Sequence, residues 1–294
     1  MIDPDRYIEI KRKRINRALQ NAIPDAEPPV IIKAMRYSLE AGGKRLRPVL
    51  TLAVAETFGA EEHEVIEVAC AMEMVHTYSL IHDDLPAMDD SPLRRGKPTC
   101  HRVFDEALAI LAGDALLTYA FKVLARYGQK EFCAQKAVRI IAELAKAAGV
   151  EGMLGGQVLD LEAEGRDLTA EQIEKISALK TGAMLTAAVR CGAIAAGASA
   201  SELAILTRFA SSLGTAFQIV DDLLDIEGTA KELGKPVGSD SAHGKATYPA
   251  VFGQQESSLR AKYFHHQAVE ALDELEKPTE LLHSLADRIV FRKK

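Results

Sequence analysis

Residues 136–149 read KAVRIIAELAKAAG. Ala137, Ile140, Ile141, Leu144 and Ala145 recur at steps of three and four, which stacks them along one face of an α-helix. The stretch sits inside a proline-free run from Thr99 to Lys235, and the same periodicity continues through almost all of it. Proline breaks a helix interior, so the run is open to long helices. Gly149, Gly155, Gly156, Gly165 and Gly197 are expected to punctuate it. Thr169 with Gln172 and Ser199 with Glu202 fit the capping box of a helix start. Upstream, Pro28 and Pro29 precede VIIKAMRYSLEA, and Gly42–Gly43 follow, the usual proline-first, glycine-last order. Alternating strands and Asn-Gly or Asp-Gly turns are absent, so no hairpin is expected. The pattern predicts an all-α chain of ten to thirteen helices, with residues 1–294 forming one domain.

Composition agrees. Of 294 residues, 48% are hydrophobic, only 5% are aromatic and none is Trp, a mix better suited to packed helices than to strands. With 36 Lys+Arg against 42 Asp+Glu, the net charge of −6 gives no general attraction for nucleic acid or an anionic membrane. The cysteines, Cys70, Cys100, Cys133 and Cys191, form no CxxC pair; Cys70, Cys133 and Cys191 lie in apolar helical patterns and read as small buried thiols. The N-terminus, MIDPDRYIEIKRKRINRAL, is charged throughout and lacks a signal core. The longest apolar stretch, 183–198, is interrupted by Arg190, so no membrane span is expected and the protein reads as cytoplasmic.

Two acidic clusters follow apolar helical segments: LIHDDLPAMDD at 80–90 and FQIVDDLLD at 217–225. Asp221 and Asp225 share a helix face, with Asp222 beside them. In the first cluster Pro86 cannot continue a helix, which places Asp83 and Asp84 at its end and returns Asp89 in the next turn. Grouped carboxylates repel, so converging ones make sense where hard cations such as Mg²⁺ or Mn²⁺ neutralise them. Basic counterparts stand at 42-GGKRLRP-48, 94-RRGKP-98, His76, Lys180, Lys235 and Lys245. Arg makes the forked hydrogen bonds that phosphate accepts, while Lys acts as a point charge. GxxxxGK[ST] is missing, which leaves an ATPase without support. His76 and His82 sit six apart on an otherwise apolar helix, unlike a two-histidine metal pair, and a plain reading as core histidines stays open beside the phosphate-binding one for His76.

GGKRLRP, DDLPAMD, LRRGKPT, KTG, FQIVDDLLD and GKATYP, in this order, resemble the trans-isoprenyl diphosphate synthases, and most closely the bacterial farnesyl diphosphate synthases. The resemblance implies a helical isoprenoid synthase fold with a central cavity, as a homodimer. It assigns Asp83, Asp84 and Asp89 to two magnesium ions on an allylic diphosphate, and Asp221, Asp222 and Asp225 to a third, with Mn²⁺ as a substitute. Arg94, Lys180, Lys245 and Lys235 would contact that diphosphate. Lys44, Arg47, His76 and Arg95 would hold isopentenyl diphosphate, and Thr181 and Gln218 would face the reacting carbons. Tyr78, five residues before Asp83, and Ser79, one turn before it, fall where the family gauges chain length. The aromatic there implies a fifteen-carbon product rather than a ten- or twenty-carbon one. The chain departs from the family at Ser91–Pro92, which leaves the role of Asp90 open. The rival readings are a metal-dependent phosphohydrolase built on His82–Asp83, a non-catalytic partner subunit and a terpene cyclase. The basic end, FRKK, closes over the ligand or hangs free.

Overall fold

The structure, a computed structural model, describes residues 3–166, 168–227 and 247–292. Among these residues it contains fourteen α-helices and one π-helical turn: α1 Pro4–Ala22, α2 Pro29–Leu39, α3 Leu46–Thr57, α4 Glu62–Asp83, α5 Cys100–Phe104, α6 Glu106–Gly128, α7 Ala134–Ala148, α8 Met153–Ala163, α9 Ala170–Ser177, the π turn Ala178–Gly182, α10 Ala183–Ala195, α11 Ala200–Glu227, α12 Tyr248–Phe252, α13 Gln254–Asp273 and α14 Glu280–Val290. The count exceeds the expected ten to thirteen. α5 and α12 are five residues each, too short to leave a periodic signature in sequence.

α4 sits at the centre. Val65, Val68, Ala69, Ala71, Met72, Met74 and Val75 are all buried, so the helix is apolar nearly all round and has neighbours on every side. It packs against α6, α3 and α10. α11 packs along α13 and α10, and α10 crosses α3 closely enough for the Thr51 hydroxyl to donate to Ala188 O at 3.0 Å. Outside this layer, α1 is tied down by Tyr7 and Lys11, which bond Glu56 and, for Lys11, also Glu62 at 2.6 Å. Both capping boxes form: Gln172 N donates to Thr169 Oγ1 at 3.3 Å, and Ser199 N donates to Glu202 at 2.7 Å.

Four expectations need correction. Gly155 and Gly156 do not punctuate; they lie inside α8. A Cβ on Gly156 would stand 2.3 Å from Lys180 N, so the glycine exists to let the π turn approach. Second, a short hairpin does form: Leu93–Arg94 pairs antiparallel with Lys97–Pro98 around Arg95 and Gly96, whose φ values are 55° and 76°. Both central residues of this turn type need positive φ, and Arg-Gly supplies it here in place of Asn-Gly. Third, Cys133 is half-buried and caps α7, while the other three cysteines are buried. Fourth, Glu106–Gly128 and Ala200–Ile226, rather than 183–198, are long and apolar enough to cross a membrane on length and composition. Core helices meet the same criterion, and Ala109, Ala112, Leu116, Phe209, Leu213 and Ala216 of these two are buried inside the fold.

Candidate functional site

α4 ends where Pro86 forbids a further turn. Asp83 is its last residue, Asp84 caps it, and Asp89 N donates to Asp83 O at 2.9 Å, which returns Asp89 to the level of Asp83 as the sequence predicts. Asp84 is 3% exposed and meets Arg94 of the hairpin: Nε lies 3.0 Å and Nη2 2.5 Å from Oδ1. Burial raises the Asp84 pKa, with Arg94 opposing it. A buried carboxylate in that position favours added positive charge. Asp90 is exposed and engages Arg102 at 3.0 Å, away from Asp84.

The basic residues gather beside this helix end. Arg45, left-handed at φ 52°, is buried and consumed by structure: it bonds Asn16 Oδ1 at 2.9 Å, Glu73 Oε1 at 2.5 Å and the Leu39 carbonyl. Its neighbours Lys44 and Arg47 are left for other work. Arg47 Nε is buried and has no hydrogen-bond partner among the described residues. Arg95 reaches back to the Gly42 carbonyl, and Gly43, at φ 118°, makes room for it, because a Cβ there would sit 2.3 Å from Arg95 Cζ. GGKRLRP and RRGKP are thus locked together. His76 on α4 feels both: burial, then the charges of Arg47, Arg95, Arg94 and Arg45, push its pKa well down, so the ring is neutral near pH 7. Burial also lowers the pKa of Lys44 and of Arg47.

The second cluster lies on α11. Gln218 Nε2 donates to Asp222 Oδ1 at 2.8 Å, Tyr248 N donates to Asp222 Oδ2 at 2.9 Å, and Thr181 Oγ1 donates to Gln218 Oε1 at 2.7 Å. Thr181 and Lys180 stand on the π turn, a rare geometry that recurs at functional sites. Lys180 Nζ is 2.5 Å from Asp160 of α8. Asp225 is buried, and Asp221 accepts from Arg292, whose guanidinium also covers the Phe217 ring at 4.5 Å. Sequence reading missed Asp160, although Gly156 and Asp160 are four apart and so share the face that meets Lys180. It also left Arg292 undecided; a cation 71 residues from its partner carries no local signal. Lys235 and Lys245 lie outside the described residues.

Two aspartate-bearing helix ends, with GGKRLRP and RRGKP held against the first, are what the sequence motifs foretell, and the polyprenyl synthetase family pattern matches residues 28–285. The chain belongs to the polyprenyl synthetase family. It is 51% identical over 248 residues to the farnesyl diphosphate synthase of Geobacillus stearothermophilus, covering 84% of each. It is 47% identical to the heterodimeric geranylgeranyl pyrophosphate synthase large subunit 1, chloroplastic, of Arabidopsis thaliana, covering 97% of this chain and 78% of that one. Among solved structures, an FPP/GFPP synthase from Zymomonas mobilis superposes with a TM-score of 0.86 at 34% identity over 98% of both chains. The all-α isoprenoid synthase fold is therefore established for this polyprenyl synthetase.

Three further positions bear on its chemistry. Tyr78 is 3% exposed, its hydroxyl has no hydrogen-bond partner among the described residues, and burial followed by Asp83 pushes the phenol up to about 12. Ser79 Oγ turns back to His76 O at 2.9 Å. His82 Nε2 lies 3.1 Å from the Ile110 carbonyl, which fixes it between α4 and α6 and takes away the hydrolase reading's central residue. Among the described residues no three His, Cys, Asp or Glu side chains converge on an ion position. Arg94 and Arg292 occupy Asp84 and Asp221 instead. The donor chemistry nonetheless fits Mg²⁺, since both clusters offer only hard carboxylate oxygens.

Proposed function

We propose that this polyprenyl synthetase joins isopentenyl diphosphate head to tail with dimethylallyl and then geranyl diphosphate, stopping at farnesyl diphosphate. The observation that carries the reading is the gathering of Arg47, Arg94 and Arg95 around His76 on α4, beside its aspartate-bearing end, with Arg47 Nε buried and without a hydrogen-bond partner among the described residues, while Lys44 stands by Asp221 and Arg292 of the second cluster. That is a seat for a diphosphate next to a place where cations gather. Asp83, Asp84 and Asp89 on one side, and Asp221 and Asp225 on the other, would hold magnesium, with three ions per site as the finer expectation. Asp222, expected from the sequence as a sixth ion-binding carboxylate, is read differently because its two oxygens accept from Gln218 and from the Tyr248 backbone. When bound, these ions would neutralise the charge that grows on the leaving diphosphate.

The chain's own residues account for the rest. Arg94 and Lys180 are placed to hold the allylic diphosphate once they exchange Asp84 and Asp160 for it, and Lys235 and Lys245 complete the set by family position. Lys44, Arg47 and Arg95 hold the other diphosphate; neutral His76 offers it a hydrogen bond without adding charge. The Thr181 hydroxyl and Gln218 face the allylic carbons, where fixed dipoles stabilise a developing cation. The double bond of isopentenyl diphosphate attacks that cation, and a proton leaves, with released pyrophosphate as its acceptor. Water must be kept out, because it would trap the cation.

Relatives that make geranylgeranyl diphosphate by name stand close to those that make farnesyl diphosphate, so the product length rests on Tyr78. Its buried ring, five residues before Asp83, would form the floor that stops the growing chain. We read the chain as one unit, a cytoplasmic homodimer; the exposed apolar residues Ile110 and Leu111 on α6 support a self-contact there. The test is a product assay with dimethylallyl and isopentenyl diphosphates, with Mg²⁺ and with EDTA. A magnesium-dependent fifteen-carbon product is expected. A twenty-carbon product keeps the reaction and removes Tyr78 as the floor, and no condensation removes the reading in favour of a non-catalytic subunit.

A further inference from the structure

We infer that Asp222 is a positioning residue that sets the direction of the hydrogen-bond chain Thr181–Gln218–Asp222, so that Thr181 turns only acceptor electron pairs toward the reacting carbons. The inference rests on the prenyl-transfer reading above and deepens it.

The direction follows from donor and acceptor counting. An ionised carboxylate accepts and cannot donate. Asp222 is buried, and each of its oxygens takes a proton from this chain: Oδ2 from the Tyr248 backbone N–H at 2.9 Å and Oδ1 from Gln218 Nε2 at 2.8 Å. Gln218 must therefore point its NH₂ at Asp222, which leaves Oε1 facing Thr181. The Thr181 hydroxyl has one proton, and it is spent on Gln218 Oε1 at 2.7 Å. Only lone pairs remain on Oγ1. Each link polarises the next in the same sense, so the negative end of the whole chain is delivered to Thr181. A neutral amide at position 222 would favour the opposite sense, since its oxygen would face the Tyr248 N–H and its NH₂ would donate to Gln218. The reversed chain would aim the Thr181 proton outward, against a cation.

This role separates Asp222 from its neighbours. Asp221 is met by an arginine from the chain's far end, whereas Asp222 is built into a relay that begins at the backbone of α12 and ends on the π turn. Orientation of fixed dipoles toward developing charge is where enzymes gain most, because the dipoles need no reorganisation during the step.

The experiment compares two ligands bound to the full chain with Mg²⁺ and pyrophosphate: protonated dimethylallylamine, which carries the charge of the allylic cation, and its uncharged carbon isostere. Calorimetric titration of wild type, Asp222→Asn, Gln218→Met and Thr181→Val reads the preference for the charged ligand. In Asp222→Asn that preference falls by about tenfold, the scale of a hydrogen bond to a charged group, while the isostere changes by less than about twofold. Gln218→Met, which keeps Asp222, loses the preference to the same extent, and Asp222→Asn adds nothing in a Thr181→Val background. Equal weakening of both ligands, as expected of a structural or ion-holding role, overturns the inference, as does an unchanged preference in folded Gln218→Met. Wild type that fails to condense the two diphosphates overturns the reaction itself; condensation with an unaltered preference in the variants overturns only the role of Asp222.

Discussion

The ends of α4 and α11 carry similar aspartate clusters but are finished in different ways. The α4 end is local: a proline stops the helix, the turn returns Asp89, and Arg94, ten residues on, holds Asp84. The α11 end is assembled from distant chain. The helix runs on past Asp225 to Glu227, Arg292 comes from 71 residues away, and Tyr248 supplies its backbone from 26 residues away. Matching chemistry thus reaches the site once through sequence neighbours and once through tertiary packing, and the two ends should fail differently.

Truncation at the two ends gives the largest contrast. Asp84→Ala and Asp221→Ala should each lower kcat/KM by about a thousandfold, since each removes a carboxylate that gathers cations around the leaving group. Their stability costs should diverge. Asp84→Ala leaves behind Arg94, whose side chain is 32% exposed, and is expected to cost about 1–2 kcal/mol after discounting for solvent. Asp221→Ala strands Arg292, whose side chain is only 4% exposed, and should cost more, about 2–3 kcal/mol. Urea unfolding of both variants checks this, and equal losses would erase the distinction between a local and an assembled end.

Gly156→Ala probes the assembled end without touching a charge. The added methyl would press on Lys180 N, so either α8 or the π turn must shift, at a cost of about 1–3 kcal/mol. Because Lys180 and Thr181 ride on that turn, kcat should fall well beyond what the lost stability explains. A variant that melts earlier yet turns over normally would show that the π turn tolerates displacement. A smaller effect is expected at the local end from Tyr78→Phe. Removing a buried hydroxyl that has no partner among the described residues should stabilise the fold by about 0.5–1 kcal/mol and leave the product at fifteen carbons. Tyr78→Ala, by contrast, should lengthen it, as read by chromatography of the hydrolysed products.

How much of this was legible follows the same division. Pro86, the spacing of Asp83, Asp84 and Asp89, and the capping residues Thr169 and Ser199 act within a few residues of themselves, so the sequence displayed them. The Gly156–Lys180 approach, the Lys180–Asp160 pair and Arg292 on Asp221 depend on which helices meet, and no window of sequence contains both partners. The Arg95–Gly96 hairpin lies between these cases: its signal was local, but arginine seldom takes the left-handed position that asparagine usually fills. Within GGKRLRP, sequence gave no way to see that Arg45 is spent on Glu73 while Lys44 and Arg47 are not.

The smallest effect expected is a pH dependence centred on His76, at the local end. Its pKa is pushed well below 6.5 by burial and then by Arg47, Arg95, Arg94 and Arg45, whereas in the unfolded chain it titrates near 6.5. Between those two values the unfolded state binds a proton that the folded state refuses. Stability must then fall as pH drops below about 6.5, and the full contribution of the neutral ring is present above it. His76→Gln keeps a hydrogen-bonding side chain but cannot titrate, so it should flatten that part of the profile. The comparison to make is the urea midpoint of wild type and variant at about pH 7.5 and 5.5, two pH values that straddle the unfolded-state pKa. If both lose the same stability on acidification, the loss belongs to other groups, and the arginines around His76 do not hold it neutral. If the variant loses less, the ring beside Arg47 is neutral at working pH, as a seat for a second diphosphate requires: four arginine charges nearby already supply the attraction, and a fifth positive charge would cost the empty site more than it would add.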